Sequence, residues 1–311
     1  MQRSKTHFLM GLIIAGLGTL VSTLAISPAT SMAQGISQFM EGKVIKSPRK
    51  TAFLPVNREV YLAMPAVLRT RNVPPAQADI SHRFPVPAWQ GDQSACAAFA
   101  VGYAARSYYV AAPDGLNLRQ ADNVVSPAYI YNTINRQQKG GGDCKMPISI
   151  SGALDLLKNQ GAVPLSAMAY KENDCLAQVT PDALSKHGQR FRINGWQRLD
   201  EPMTLAAVKN QIARGNPVIF GVKITKEWDH EDTWNADFFT KRGPFKSTQR
   251  DGREHAMVMT GFDDARQAFK FINSWSNEWG EGGFGWIDYK ALQALWMEGY
   301  VMTMGNAVAA K

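Results

Sequence analysis

Apolar residues are distributed along this chain in distinct patterns, and each pattern predicts a different kind of structure. Phe8 to Ile26 is a nearly unbroken apolar stretch. Arg3 and Lys5 precede it, and Ser31-Met32-Ala33 follows with small residues at the −3 and −1 positions of a cleavage site. That is the pattern of a secretory signal peptide over residues 1–33, cut after Ala33. A retained anchor is the rival, since the stretch is nearly long enough to span a bilayer; its Gly, Ser and Thr residues and the cleavage site favour removal. The expectation is an exported protein, periplasmic or secreted, with no membrane contact in its mature form. Residues 34–75 mix Lys, Arg and Pro with scattered apolar positions of weak period. They read as a pro-segment or an N-terminal arm, and the catalytic domain is expected over 76–311.

From Ser94 the period sharpens. Cys96, Phe99, Ala100, Tyr103 and Ser107 recur at i, i+3, i+4, i+7 and i+11, a helix stripe. Ser94 is the expected N-cap, which puts Cys96 in the first turn. Further helices are expected where Ser126 and Pro127 open a run through Arg136, from Ser149 to Asn159 with Gly161 as the stop, and from Leu205 to Arg214 ending at Gly215. Beyond that the pattern becomes extended. Pro217–Ile224, Ala256–Phe262, Ala268–Asn273 and Phe284–Tyr289 are rich in Val, Ile, Phe and Met, punctuated by Gly, and predict strands. Helices first and strands afterwards indicate an α+β fold, with a helical lobe over about 90–200 packed on a β lobe over about 201–311.

Composition narrows the class without choosing a function. At 311 residues, 45% hydrophobic and 19% charged, the chain can bury a substantial core and is neither fibrous nor disordered. The formal charge of +8 is spread out, with only Lys43–Arg58 loosely clustered. A diffuse positive field of this kind specifies no nucleic-acid partner. Three cysteines, Cys96, Cys144 and Cys175, would leave one free thiol if two paired in an oxidising compartment. Further ligands at metal spacing are missing, so no metal and no cofactor is expected.

A cysteine is a nucleophile only as thiolate, and a helix N-terminus lowers the energy of that charge. Cys96 is placed for this and is preceded by Gln90-Gly91-Asp92-Gln93-Ser94-Ala95. Of the five histidines, His7 lies in the expected signal peptide, His82 in a short loop, His187 in a polar stretch and His230 among Asp229, Glu231 and Asp232. His255 differs, because it opens the apolar strand Ala256–Phe262, and the next strand ends in Asn273-Ser274-Trp275. Together these segments resemble the papain-like cysteine peptidases, in which a Gln lies six residues before the nucleophile and an aromatic, here Phe99, three after it. Asp79-Ile80-Ser81 and Phe84-Pro85-Val86 resemble the start of the mature enzyme in bacterial members, and Gly280-Glu281-Gly282-Gly283-Phe284 strengthens the match.

The resemblance implies a papain-like fold, with a helical lobe carrying the nucleophile and a β-barrel-like lobe carrying the base. It implies Cys96 as nucleophile, His255 as base, Asn273 as its orienting partner, and Gln90 as an oxyanion donor beside the Cys96 N–H. Trp275 and Trp279 would shield the His255–Asn273 hydrogen bond, and Cys144 and Cys175 would form the disulfide of the helical lobe. Pro147 and Ile148 are candidates for the specificity pocket. The sequence departs from the family where Gly and Trp flank the nucleophile, with Ser94 and Ala97 here, and Gln93 stands where plant and animal members have a bridging Cys. The spacing from Cys96 to His255 is slightly long, which suggests insertions around Glu227–Arg253.

The implied function is that of a zymogen-type thiol peptidase that hydrolyses peptide bonds. Its partners would be protein or peptide substrates and an intramolecular pro-segment. The alternatives are a catalytically silent binding module and a Cys–His amidase acting on cell-wall peptides.

Overall fold

The computed structural model describes residues 52–68, 72–111 and 115–305. The expected signal peptide, His7 and the first part of the 34–75 segment lie outside the described residues. The helices are α1 (Arg58–Ala63), a long α2, α3 (Pro127–Gln137), α4 (Ile150–Asn159), α5 (Pro181–Phe191), α6 (Leu205–Ala213), α7 (Phe238–Arg242) and α8 (Tyr289–Leu295). Helix α2 starts as Cys96–Ala98, widens into a π-helical stretch Phe99–Arg106 and closes as Ser107–Ala111. The strands are β1 (Gln77–Asp79), β2 (Gly195–Arg198), β3 (Val218–Lys223), β4 (Glu254–Asp263), β5 (Ala268–Ile272), β6 (Phe284–Asp288) and β7 (Trp296–Thr303).

These strands form one antiparallel sheet in the order β2-β7-β3-β4-β5-β6, and β1 pairs with the far end of β4. The fold is α+β as expected. The sheet is open, however: β2 and β6 are its two ends and do not pair, so "barrel-like" describes it only loosely.

The sheet has a core on each face, which follows from the two-residue period of a strand. Ala256 and Val258 of β4 and Ile219 of β3 pack with the helical lobe, among α2, α3 and α4. Met257 and Met259 of β4 with Phe220 and Val222 of β3 face the opposite way, into a core closed by α6 and α8. Burial on both faces explains why β4 reads as a continuous apolar run rather than an alternating one.

Helix starts follow side-chain chemistry. Ser126, Ser149, Thr180 and Thr204 each accept a hydrogen bond from the backbone N–H three residues on. Ser94 departs from its expected role. The cap position of α2 is Ala95, without a side-chain bond, and Ser94 Oγ donates instead to the Lys145 carbonyl at 2.8 Å. The expected stripe on α2 is also too narrow, because every residue from Phe99 to Arg106 is buried. Helix α2 is the central helix of its lobe, enclosed on all sides, and its small Ala and Gly residues let neighbours approach.

Residues 52–68 cross from one lobe to the other. The Leu54 N–H bonds the Ile148 carbonyl of the helical lobe at 3.0 Å, and the Val56 N–H bonds Glu298 of β7 at 3.0 Å. The Phe53 ring is buried against Gly221 of β3, where a Cβ would meet it at 2.3 Å. In α1, the buried Tyr61 donates to the Leu199 and Gly299 carbonyls.

Candidate active site

Two segments from different parts of the chain meet at the start of α2. The stretch before Cys96 runs antiparallel beside the Asn-Ser-Trp segment: Gln90 N–H bonds the Ser274 carbonyl at 3.0 Å, and Ser276 N–H bonds the Ala88 carbonyl at 3.0 Å. The side chains repeat the link, since Ser274 Oγ donates to Gln90 Oε1 at 2.5 Å. After Gln90 the chain must turn sharply into the helix. Gly91 makes that turn at φ +65°, and a Cβ there would collide with the Glu172 carboxylate, which accepts the Asp92 N–H at 2.7 Å.

The turn is braced from the rest of the helical lobe. Ser94 N–H and Oγ bond the carbonyls of Cys144 and Lys145. The Tyr170 hydroxyl donates to the Gln90 carbonyl at 2.7 Å, and Gln93 Oε1 accepts the Asn173 N–H. Cys144 and Cys175 are joined in a disulfide with Cα atoms 5.5 Å apart, which ties these two bracing loops together, while Cys96 is free. Tyr131 adds a further hold by donating to the Cys144 and Met146 carbonyls.

At the mouth of β4, His255 Nε2 lies 2.8 Å from Asn273 Oδ1. The same Oδ1 accepts the Ser274 N–H at 2.8 Å, so it acts as an acceptor and the imidazole proton sits on Nε2. Nδ1 then carries the lone pair, and this buried atom makes no hydrogen bond. Trp275 stacks on the imidazole, with centroids 5.0 Å apart and planes at 25°, and Trp279 meets Trp275 edge-on. Both tryptophans are buried, and water is excluded from the His255–Asn273 pair.

The electrostatics are those of a covered, neutral site. Cys96 and His255 have no exposed surface. Burial pushes the Cys96 thiol up to about 12, against the pull of backbone N–H groups of Ala256, Ala97 and Cys96 itself. Burial likewise pushes His255 down to about 3, against the hydrogen bond to Asn273. In this form the thiol and the imidazole are both uncharged. Gln90 is fully buried, and its Nε2 donates to the Gln93 carbonyl at 2.8 Å, so the amide expected at an oxyanion is engaged internally here.

The structure therefore brings Cys96, Gln90, His255, Asn273, Trp275 and Trp279 to one place. His82 and His187 lie elsewhere, and His230 sits in its acidic loop with Nδ1 3.3 Å from Asp232. No group of metal-ligating side chains occurs among the described residues. Sequence reasoning passed over Ser274, Tyr170 and the pair Arg253–Asp229 described below. For Arg253 a signal existed, namely its place two residues before His255.

This geometry defines a class: the fold is that of the papain-like cysteine peptidases, carried by a divergent sequence. The comparisons with known proteins agree. A model of the Peptidase_C39 like family matches residues 158–297, which include His255 and Asn273 but not Cys96. Among solved structures, xylellain, a cysteine protease from Xylella fastidiosa, superposes with a TM-score of 0.67 at 20% identity, covering 84% of this chain and 98% of that one. Procathepsin B S9 from Trypanosoma congolense gives a TM-score of 0.60 at 15% identity, over 89% and 99% of the two chains. Procathepsin L 3 of Tenebrio molitor gives 0.58 at 14% identity, over 88% of each. No curated protein sequence matches.

Proposed function

We propose that this chain is an exported thiol peptidase that cleaves peptide bonds through an acyl-enzyme on Cys96. The observation that carries the reading is the buried His255–Asn273 hydrogen bond, which fixes the proton on Nε2 and leaves Nδ1 as the base for a thiol. In the open form, His255 takes the Cys96 proton and the thiolate attacks the substrate carbonyl carbon. The oxyanion is held by the Cys96 N–H and by Gln90 once its amide leaves the Gln93 carbonyl. The C–N bond then breaks, and the imidazolium gives its proton to the leaving amine. Water, deprotonated by His255, attacks the thioester and releases the acid and the free thiol.

Residues 34–75 act in this reading as a pro-segment. Phe53, Leu54 and Val56 reach both lobes, with Phe53 packed on Gly221 of β3, the strand paired with the start of β4, and a wholly buried thiol suits a zymogen. Two similar solved structures are themselves described as procathepsins.

The test combines an epoxysuccinyl thiol probe with a peptide library. Probe attachment at Cys96 together with peptide cleavage, both lost in Cys96→Ala, supports the reading. A folded protein that neither labels nor cleaves after removal of residues 34–72 is a silent binding module, and cleavage confined to cell-wall peptides makes it an amidase of that class.

A further inference from the structure

Two residues before His255, in the loop that leads directly into β4, stands Arg253. Its guanidinium donates two parallel hydrogen bonds to Asp229, Nη1 to Oδ2 at 2.6 Å and Nη2 to Oδ1 at 2.7 Å. Both side chains are about four-fifths buried, at 22% and 20% exposure. The guanidinium carbon lies 5.7 Å from the centre of the Trp275 ring, the ring that stacks on His255. Asp229 comes from the short turn Lys226–Asp229, within the segment expected to hold the insertion between Cys96 and His255. That turn is anchored by Trp228, buried in a stack with Phe245, Phe271 and Trp279. This segment thus brings a bidentate ion pair against the cover of the imidazole, and the acyl-transfer steps give it no task.

We propose that Arg253, clamped by Asp229, is a positioning residue for the Cys96–His255 couple: it holds Trp275 over the imidazole and sets the charge balance under which the couple loses protons. This rests on the peptidase reading. The positive charge favours proton loss from Cys96 and from His255, while the negative charge of Asp229 favours keeping the proton on His255. The other groups facing the couple are the Tyr131 and Tyr170 phenols, raised by burial and un-ionised near neutral pH. Beside His255 on β4, Glu254 is paired with Lys223 of β3 at 2.7 Å, and β7 carries Glu298, pushed up to about 7 by burial. None of these is altered by changing Arg253 or Asp229, so their effects cancel when variants are compared.

The experiment uses the full-length protein and measures the rate of Cys96 alkylation by iodoacetamide against pH. Opening of the covered site scales every variant's curve alike, so the pH of the rising limb is read, not the absolute rate. Arg253→Met should move that limb up by about half a pH unit and Asp229→Asn down by a similar amount, the size expected for a partly buried charge several ångströms away. The double variant should return close to the parent. Arg253→Lys, which keeps the charge but loses the fork, should keep the pH limb while the labelling rate on its plateau falls several-fold. Limbs that do not move, or that move the same way in both single variants as simple loosening would produce, overturn the proposal. If Arg253→Met does not fold, Asp229→Asn and Arg253→Lys still decide it. A parent protein whose limb sits in the range of an ordinary free thiol, near 8.5, instead overturns the peptidase reading beneath it.

Discussion

A neutral imidazole enclosed by Trp275, Asn273 and β4 has a thermodynamic consequence at the level of the single residue. Burial pushes folded His255 down to about 3, whereas an unfolded histidine titrates near 6.5. Between those values the unfolded chain binds the extra proton, so stability is fully present above about pH 6.5 and is lost as the pH falls towards 3. One proton corresponds to a slope of about 1.4 kcal/mol per pH unit. Between pH 7.5 and 5, the parent should therefore lose about 2 kcal/mol more than His255→Gln in urea unfolding. Equal losses would show that His255 is protonated in the fold. On the proposed acyl-transfer reading, Cys96→Ala or His255→Ala should reduce peptide turnover by at least about a thousandfold, and a variant that keeps more than a few per cent of turnover would overturn that assignment. That these residues would meet was legible in the sequence because the marks of the resemblance are short-range: an aromatic three residues past a Cys in the first turn of a helix, and a His and an Asn at strand ends. Arg253 was not singled out because its meaning depends on Asp229 and Trp275, which the chain supplies from two other loops.

Elements show the same division between local and distant causes. Helices α3, α4 and α6 follow from capping Ser and Thr residues at short range and fall where the sequence puts them. Helix α5 carried an equal signal, Thr180 before Pro181, in a stretch whose polarity hid it. Strand β7 follows α8 without an intervening loop, so Leu292 to Glu298 offers no punctuation at the junction, and its strand state comes from pairing with β2 and β3. The turn into α2 is set by one residue. Gly91→Ala puts a Cβ into the Glu172 carboxylate at a backbone angle that side chains avoid, and should destabilise by about 2 kcal/mol or more. Glu172→Ala in that background should recover part of the loss; no recovery would mean that the backbone angle alone carries the cost. The disulfide is the other device at this scale. Cys144 and Cys175 are 31 residues apart, and Cys144→Ser with Cys175→Ser should cost about 3 kcal/mol in thermal unfolding. Because the bridged loops hold Ser94, Gln90 and Gln93, the same change should also slow Cys96 chemistry, which a purely structural bridge far from the nucleophile would not do.

On the scale of the whole molecule, two lobes share one sheet, and a peptide arm spans them. The sequence suggested an arm of little structure because residues 34–75 lack a helix or strand period. Its apolar residues are instead used singly: Phe53 fills the space left by Gly221, and Tyr61 closes hydrogen bonds to the backbone of β7. Such contacts depend on the shape of the receiving surface, which no periodicity in the arm can announce. A form beginning near Val73 should lose these contacts and unfold about 2–4 kcal/mol more easily, as for deletion of buried aromatic side chains. In the same form, alkylation of Cys96 should be at least about tenfold faster than in the full-length protein at the same pH, because the clasp across the lobes is gone. Phe53→Ala should give an intermediate rate, since the Leu54 and Val56 backbone bonds remain. The two readouts separate the alternatives: faster labelling with a folded core marks a removable cover, whereas lost stability with unchanged labelling marks a permanent structural arm. If the truncated protein also gains peptide turnover, and any cleavage within residues 34–75 disappears in Cys96→Ala, the arm is removed by the nucleophile it covers.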